Sequence, residues 1–342
     1  MKNKNAVLKI LAELCRLLIG VVFIFSGFVK AVDPMGGAIK IGEYLASFGL
    51  DMLQPFTVLL SFNLSAIEFA LGVCMLLGVY RRYVSFLILI FMAFMTPLTL
   101  YLALFDPVSD CGCFGDALVI SNWETFFKNI VLSLAAIVTF IYNQRLFQCF
   151  TFRAYWFVAL YAYLFGVGFA YYNYNHLPVI DFRPYKIGAN IPKLMEMPEE
   201  APQDEYKYTF VYEKDGVKKE FSLEDYPAND SSWAFVDSKT ELVKKGYQPP
   251  VAAFNIYNGK GDDVTEEIIG NPGPVLLLVA PKLEEADDEQ MDEINGVYDY
   301  ALEHDIPFYC VTGSSPEAID TWSDNTGAEY PFRMADEVLL KT

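Results

Sequence analysis

Val84-Ser85-Phe86-Leu87-Ile88-Leu89-Ile90-Phe91-Met92-Ala93-Phe94-Met95-Thr96-Pro97-Leu98-Thr99-Leu100-Tyr101-Leu102-Ala103-Leu104-Phe105 carries no charged residue over 22 positions. About 20 apolar residues in a helix cross the hydrocarbon core of a bilayer, so this stretch reads as a membrane span. Working outward, residues 56–79 are interrupted only by Glu68. Residues 125–144 hold Lys128 near their start, close enough to the end to snorkel. Residues 154–175 are uncharged and finish in Tyr171, Tyr172 and Tyr174, which suit an interfacial belt. A fifth span over residues 7–29 contains Lys9, Glu13 and Arg16. Its uncharged part, residues 17–29, is about 20 Å long as a helix. No small-x-small cleavage site follows Phe28, so it reads as an uncleaved first helix. Between the first two spans Ile41, Tyr44, Leu45 and Phe48 recur at helical spacing, which predicts a short amphipathic helix on the interface.

Charge divides the 342-residue chain in two. Residues 1–175 hold 11 Lys/Arg against 9 Asp/Glu, whereas residues 176–342 hold 14 against 34. An apolar half beside an acidic half argues against nucleic-acid binding, which needs basic surface, and for a soluble domain tethered to lipid. Lys2, Lys4, Lys9, Arg81, Arg82, Arg145 and Arg153 fall on one set of alternate loops, and Asp33, Glu43, Asp51, Asp106, Asp110, Asp116 and Glu124 on the other. The positive-inside rule then puts the amino terminus in the cytoplasm, and the loop after residue 105 and the acidic half outside.

That loop contains Asp110-Cys111-Gly112-Cys113-Phe114-Gly115-Asp116. Two thiols one glycine apart can bridge each other or exchange with a partner's, and tight disulfides are the more oxidising ones. A purely structural bridge is the competing reading, although a ring this short restrains little chain. Of the six cysteines, Cys15, Cys74 and Cys149 fall on the membrane or cytoplasmic side as small buried or interfacial residues, and Cys310 sits in an apolar run that reads as a core strand. His176 and His304, the two histidines, give no metal-ligand spacing with the pair, so no metal is expected.

Arg16 and Glu68 are both ionisable groups inside apolar spans, and such groups pair or face a cavity. Helical rise puts each about 20 Å from the outer end of its span, which predicts that they face one another. The functional version makes them the floor of a quinone or substrate pocket with Glu68 as a proton relay. The structural version makes them a buried pair that fixes helix register.

In the acidic half, residues 206–213 and 218–223 flank Lys214-Asp215-Gly216, a β-hairpin signal. Further on, residues 274–280 and 306–311 read as buried strands, and residues 284–303 and 315–326 as helices, the second capped by Ser315. Strand, helix, strand, helix favours parallel pairing.

Arg16-x3-Gly20-x2-Phe23-x3-Gly27-x2-Lys30, then Glu68-x3-Gly72 with Leu76-Leu77-Gly78, then Cys111-Gly112-Cys113-Phe114-Gly115 before Trp123 and Asn129, resemble the DoxX/MauE superfamily. The resemblance covers roughly residues 7–145. It implies a four-helix bacterial membrane core with redox-associated roles: maturation of a disulfide-rich periplasmic enzyme, or thiol oxidation with quinone. The second half resembles the first part of a thioredoxin-like domain, but Ala280-Pro281-Lys282-Leu283-Glu284 stands where active members carry Cys-x-x-Cys. The expected architecture is therefore an α-helical membrane bundle over residues 1–150 and a fifth transmembrane helix over 151–176. A linker and β-hairpin region over 177–250 and an α/β, thioredoxin-like soluble domain over 251–342, incomplete because the closing strands are not reached, complete the expectation. The expected function is that of a protein of the bacterial inner membrane whose catalytic Cys111 and Cys113 exchange disulfides with periplasmic envelope protein thiols. DsbB and vitamin K epoxide reductase families relay through two cysteine pairs, and no second external pair exists here. A non-enzymatic scaffold with a structural disulfide, and a transporter-like bundle using Arg16 and Glu68, are the alternatives.

Overall fold

The computed structural model describes residues 2–105, 108, 111–198, 202, 205–214, 217–222, 233–244, 246–247, 249, 251, 254–286 and 290–335. The chain falls into two compact units, Met1–Lys186 and Ile187–Thr342.

The first unit is helical: α1 (Lys2–Val32), α2 (Pro34–Ser47), α3 (Thr57–Leu77), α4 (Arg81–Phe105), α5 (Asn122–Ile141) and α6 (Tyr155–Asn175). Among the described residues four helical stretches are long and apolar enough to cross a membrane: Asp51–Leu77, Arg81–Phe105, Asn122–Ile141 and Phe152–Asn175. Local chemistry sets the ends. Asp33 caps α2 by accepting from the Gly36 N–H at 2.9 Å, with Pro34 in the first turn, where its missing N–H has no cost. Ser121 and Glu124 form a reciprocal capping box on α5. Gly78, at φ +68°, closes α3 in a left-handed turn.

α1 runs along α3 at close range because glycines meet backbone there. A Cβ at Gly27 would lie 2.6 Å from the Ser65 carbonyl, and one at Gly72 would lie 2.5 Å from the Ile24 nitrogen. Small residues at helix contacts are how membrane helices approach one another. The interior holds Ile19, Phe23, Met75, Ile88, Met92 and Leu132, while Phe94, Leu104, Phe105, Trp156 and Leu160 are exposed. Large exposed apolar side chains on several helices are what a lipid-facing surface requires. α6 closes against α1 and α3. Asn173 donates to the Ala31 carbonyl at 3.0 Å, Tyr163 to Asn63 at 2.7 Å, and Phe28 stacks on Phe169.

The expected Arg16–Glu68 pair does not form. Arg16 holds Glu13 at 2.6 Å and donates to the Met75 and Leu76 carbonyls at the end of α3. Glu68 instead holds Lys30. The two depths do not match because the facing ends of α1 and α3 are not level. The chain turns into α2 at Pro34, whose carbonyl accepts from Ser61 at 2.8 Å, so the amino-terminal end of α3 runs on past the carboxyl-terminal end of α1. Glu68 is thus level with the last turn of α1. The helix expected around Ile41–Phe48 is present as α2, with Phe48 at its carboxyl cap.

In the second unit, α7 (Ile191–Met195) precedes a three-stranded antiparallel sheet of β1 (Glu205–Lys214), β2 (Val217–Ser222) and β3 (Ala234–Lys244), in the order β2-β1-β3. The expected hairpin is β1–β2, though Asp215 and Gly216 at its tip lie outside the described residues. β3 was not read from the sequence: Asp237, Lys239 and Glu241 break up its apolar pattern. A second sheet follows, with β4 (Ile256–Tyr257), α8 (Thr265–Ile269), β5 (Leu276–Val279), α9 (Met291–Glu303), β6 (Phe308–Thr312), α10 (Pro316–Thr326) and β7 (Phe332–Ala335). Its order is β4-β7-β6-β5, with β5, β6 and β7 parallel and β4 antiparallel at the edge. The strand–helix–strand–helix reading is therefore present, and continues into a third parallel strand beside β6. Its core gathers Leu283, Ala301, Phe308, Cys310 and Tyr330. The helix expected from Glu284 begins at Met291, after a short 3-10 turn at Leu283–Glu285.

Candidate functional site

The Cys111–Gly112–Cys113 loop folds down onto the carboxyl-terminal ends of α1, α2 and α4, against Ser26, Tyr44 and Leu102. Gly112 and Gly115 take φ +63° and +48°, the left-handed region that suits glycine, and the Gly115 N–H donates to the Gly112 carbonyl at 3.2 Å. Two side chains hold the loop by its backbone. The Tyr44 hydroxyl of α2 donates to the Cys111 carbonyl at 2.7 Å, and the Ser26 hydroxyl of α1 stands 2.7 Å from that of Cys113. Phe114 anchors the far side, edge-on to Phe25 and 4.2 Å below the Lys128 ammonium.

Both sulfurs are consequently buried, with Cys111 6% and Cys113 8% exposed, against Leu102, Tyr44 and Met95. Both are free thiols one residue apart, and their mutual influence makes them unequal. Cys111 as a thiol donor, then the nearby Lys128 and Lys30 ammoniums, hold the Cys113 thiol below the ordinary range against the opposing effect of burial. Donation to Cys113 and burial push Cys111 the other way.

Beside Cys113 lies a cavity of about 30 Å³, lined among others by Ser26, Lys30, Glu68, Lys128, Asn129 and Phe114. That volume accommodates about one or two waters, not a quinone ring. Within it Lys30 Nζ and Glu68 Oε1 are 2.6 Å apart, with side chains 12% and 3% exposed. Ser26 Oγ lies 2.7 Å from Glu68 Oε2 as well as from the Cys113 carbonyl, and its single hydrogen serves one of these acceptors at a time.

Of the four residues singled out from the sequence, Cys111, Cys113 and Glu68 come together, and Arg16 does not join them. Lys30, Ser26, Tyr44 and Lys128 were missed as site residues. Lys30 was visible as the last element of the Arg16–Lys30 motif, but read only as a marker of the helix end. Lys128 was read as a snorkelling residue. Among the described residues no group of His, Cys, Asp and Glu has the makings of a metal site. Cys310 lies fully buried in β6, its thiol pushed up to about 12 by burial, as suits a core residue.

The fold and this site define a helical membrane protein whose bundle closes over a buried dithiol. Residues 8–142, from α1 through α5, match the family model described as Methylamine utilisation protein MauE, so the chain carries a MauE-type membrane region. Residues 206–245, which span all but the first residue of the three-stranded sheet, match a Domain of unknown function (DUF8463). No curated protein and no solved structure matches the chain.

Proposed function

We propose that this protein is a thiol–disulfide exchange component of a bacterial inner membrane, with Cys111 and Cys113 cycling between the dithiol and an intramolecular disulfide against the cysteines of an envelope partner. The observation that carries the reading is a buried pair of free thiols one residue apart, with Cys113 lining a cavity that Lys30 and Lys128 also line. A structural cysteine has no use for a depressed thiol, whereas exchange depends on thiolate. The Lys/Arg distribution supports a periplasmic loop and α/β unit. Cys310 is the one cysteine in that unit, so its part in the reading is to position a partner, not to relay electrons.

Sulfurs this buried meet a partner only when the loop lifts, and Gly112 and Gly115 are where it can turn. The test is trapping in cells. Cys111→Ala and Cys113→Ala variants are expected to accumulate a mixed disulfide on non-reducing gels, and the double variant none. A pair whose midpoint lies far below about −300 mV, with no adduct from either variant, would leave a structural bridge on a scaffold instead.

A further inference from the structure

The cavity beside Cys113 holds an uneven set of charges. Lys30 from α1 and Lys128 from α5 bring two ammoniums, and Glu68 from α3 brings one carboxylate. α4 contributes only apolar side chains, Phe91, Met92 and Met95. Lys30 is spoken for by Glu68 at 2.6 Å. Among the described residues Lys128 has no carboxylate partner, and its ammonium rests against the face of Phe114, the residue after Cys113. Lys128 is half-buried, and a cation drawn partly out of water onto an aromatic face still favours a nearby negative charge. The group best placed to supply the missing negative charge is the thiol of Cys113, a residue that lines the same cavity.

We propose that Lys128, backed by the Lys30–Glu68 pair, is a charge cradle for a Cys113 thiolate, and that it biases the pair toward oxidising a reduced dithiol in the partner. This rests on the exchange reading above and gives it a direction. In the disulfide form both sulfurs are neutral and Lys128 is unmatched. In the reduced form Cys113 carries the compensating charge. Stabilising the reduced form is what makes a disulfide a strong oxidant. The step balances as follows. A partner thiolate attacks Cys111 sulfur, the Cys111–Cys113 bond breaks, and Cys113 leaves as the thiolate held by Lys128. The partner's second thiolate then attacks its own sulfur in the mixed disulfide and releases Cys111, which takes up a proton. Two electrons pass from partner to pair. Of the two partner thiol protons one ends on Cys111 and one goes to solvent.

Lys128 is a positioning residue here, since it acts through Cys113. The experiment equilibrates the full chain in detergent micelles with glutathione buffers and reads the dithiol-to-disulfide ratio of the peptide containing residues 111–113 by mass spectrometry. Lys128→Met is expected to shift the equilibrium toward the disulfide by about tenfold, equivalent to about 30 mV for a two-electron couple. Glu68→Gln, which frees the Lys30 charge, is expected to shift it the opposite way, and Lys128→Arg to restore the wild-type ratio. Unchanged ratios in Lys128→Met and Glu68→Gln, or shifts of the same sign in both, would overturn the cradle, the second because mere loosening of the bundle has no sign. A wild-type pair that never exchanges with glutathione would instead sink the exchange reading itself.

Discussion

Lys30 Nζ stands 2.6 Å from Glu68 Oε1, and this pair joins α1 to α3 directly beneath the Cys113 peptide. Glu68 is buried and Lys30 largely so, which leaves both charges little water to fall back on. Removing one partner leaves the other uncompensated. Lys30→Met is expected to destabilise the bundle by about 3–5 kcal/mol, and the Lys30→Met/Glu68→Met double variant by clearly less. Thermal unfolding in detergent measures both. Equal losses in single and double variants would mean that the two side chains do not act as a pair.

How much of this was legible follows from what each signal reports. The spans, the short helix α2, the β1–β2 hairpin and the parallel strand–helix alternation all express local periodicity, and periodicity is carried by neighbours in sequence. The Cys-Gly-Cys loop was visible as chemistry, but its burial was not. Burial depends on Tyr44 and Ser26 reaching over from other helices, contacts 67 and 87 residues apart in the chain. The misassigned pair has the same origin. Arg16 and Glu68 are each the sort of residue that pairs inside a membrane, but which pairs with which depends on helix offset. The glycines at 20, 27 and 72 set that offset through backbone contact, and a count of residues from the span ends does not contain it.

Gly27 is where that offset is most sensitive. A methyl group there would meet the Phe69 nitrogen and lie 2.6 Å from the Ser65 carbonyl, both backbone atoms of α3. Backbone cannot swing away as a side-chain tip does, so Gly27→Ala has to part the helices. Overpacking of this kind costs about 1–3 kcal/mol. Lys30 lies three residues further along α1, so the change is also expected to loosen its hold on Glu68 and alter the redox equilibrium of the cysteine pair. Gly168→Ala, where the added carbon meets nothing within 4 Å, is the control expected to leave both readouts unmoved.

Arg16 works at the other end of the bundle. Its guanidinium donates to carbonyls at the end of α3 and holds Glu13, which in turn accepts from the Phe147 N–H at 2.6 Å. Cations suit helix carboxyl termini, and a buried acceptor left unpaired costs about 1–3 kcal/mol. Arg16→Met is therefore expected to lower the melting temperature while leaving the glutathione equilibrium of Cys111 and Cys113 where it was. A redox shift as large as that of a Lys128 variant would return Arg16 to the site.

The inequality of the two thiols has a pH signature. Cys113 is held below the ordinary thiol range, so its thiolate, the form that alkylates, persists as the pH falls below about 8.5. Cys111 is pushed up and stays protonated there. In the reduced protein at about pH 7, iodoacetamide is thus expected to modify Cys113 first, with Cys111 following only as the pH rises well past the usual thiol value. The leading cause of the depression is the hydrogen bond from Cys111, ahead of the two lysines. Cys111→Ser keeps a hydroxyl donor in that place, while Cys111→Ala removes it, so the thiolate fraction of Cys113 at neutral pH should drop only in the alanine variant. One unit of upward shift is about a tenfold loss of thiolate, partly offset because a more basic thiolate is the better nucleophile. The expected order of alkylation rates at Cys113 is serine variant above alanine variant, with the gap closing above pH of about 9, where thiolate forms in both. Equal rates across the whole range would show that the lysines alone hold the thiolate, and that Cys111 contributes nothing to it before the disulfide forms.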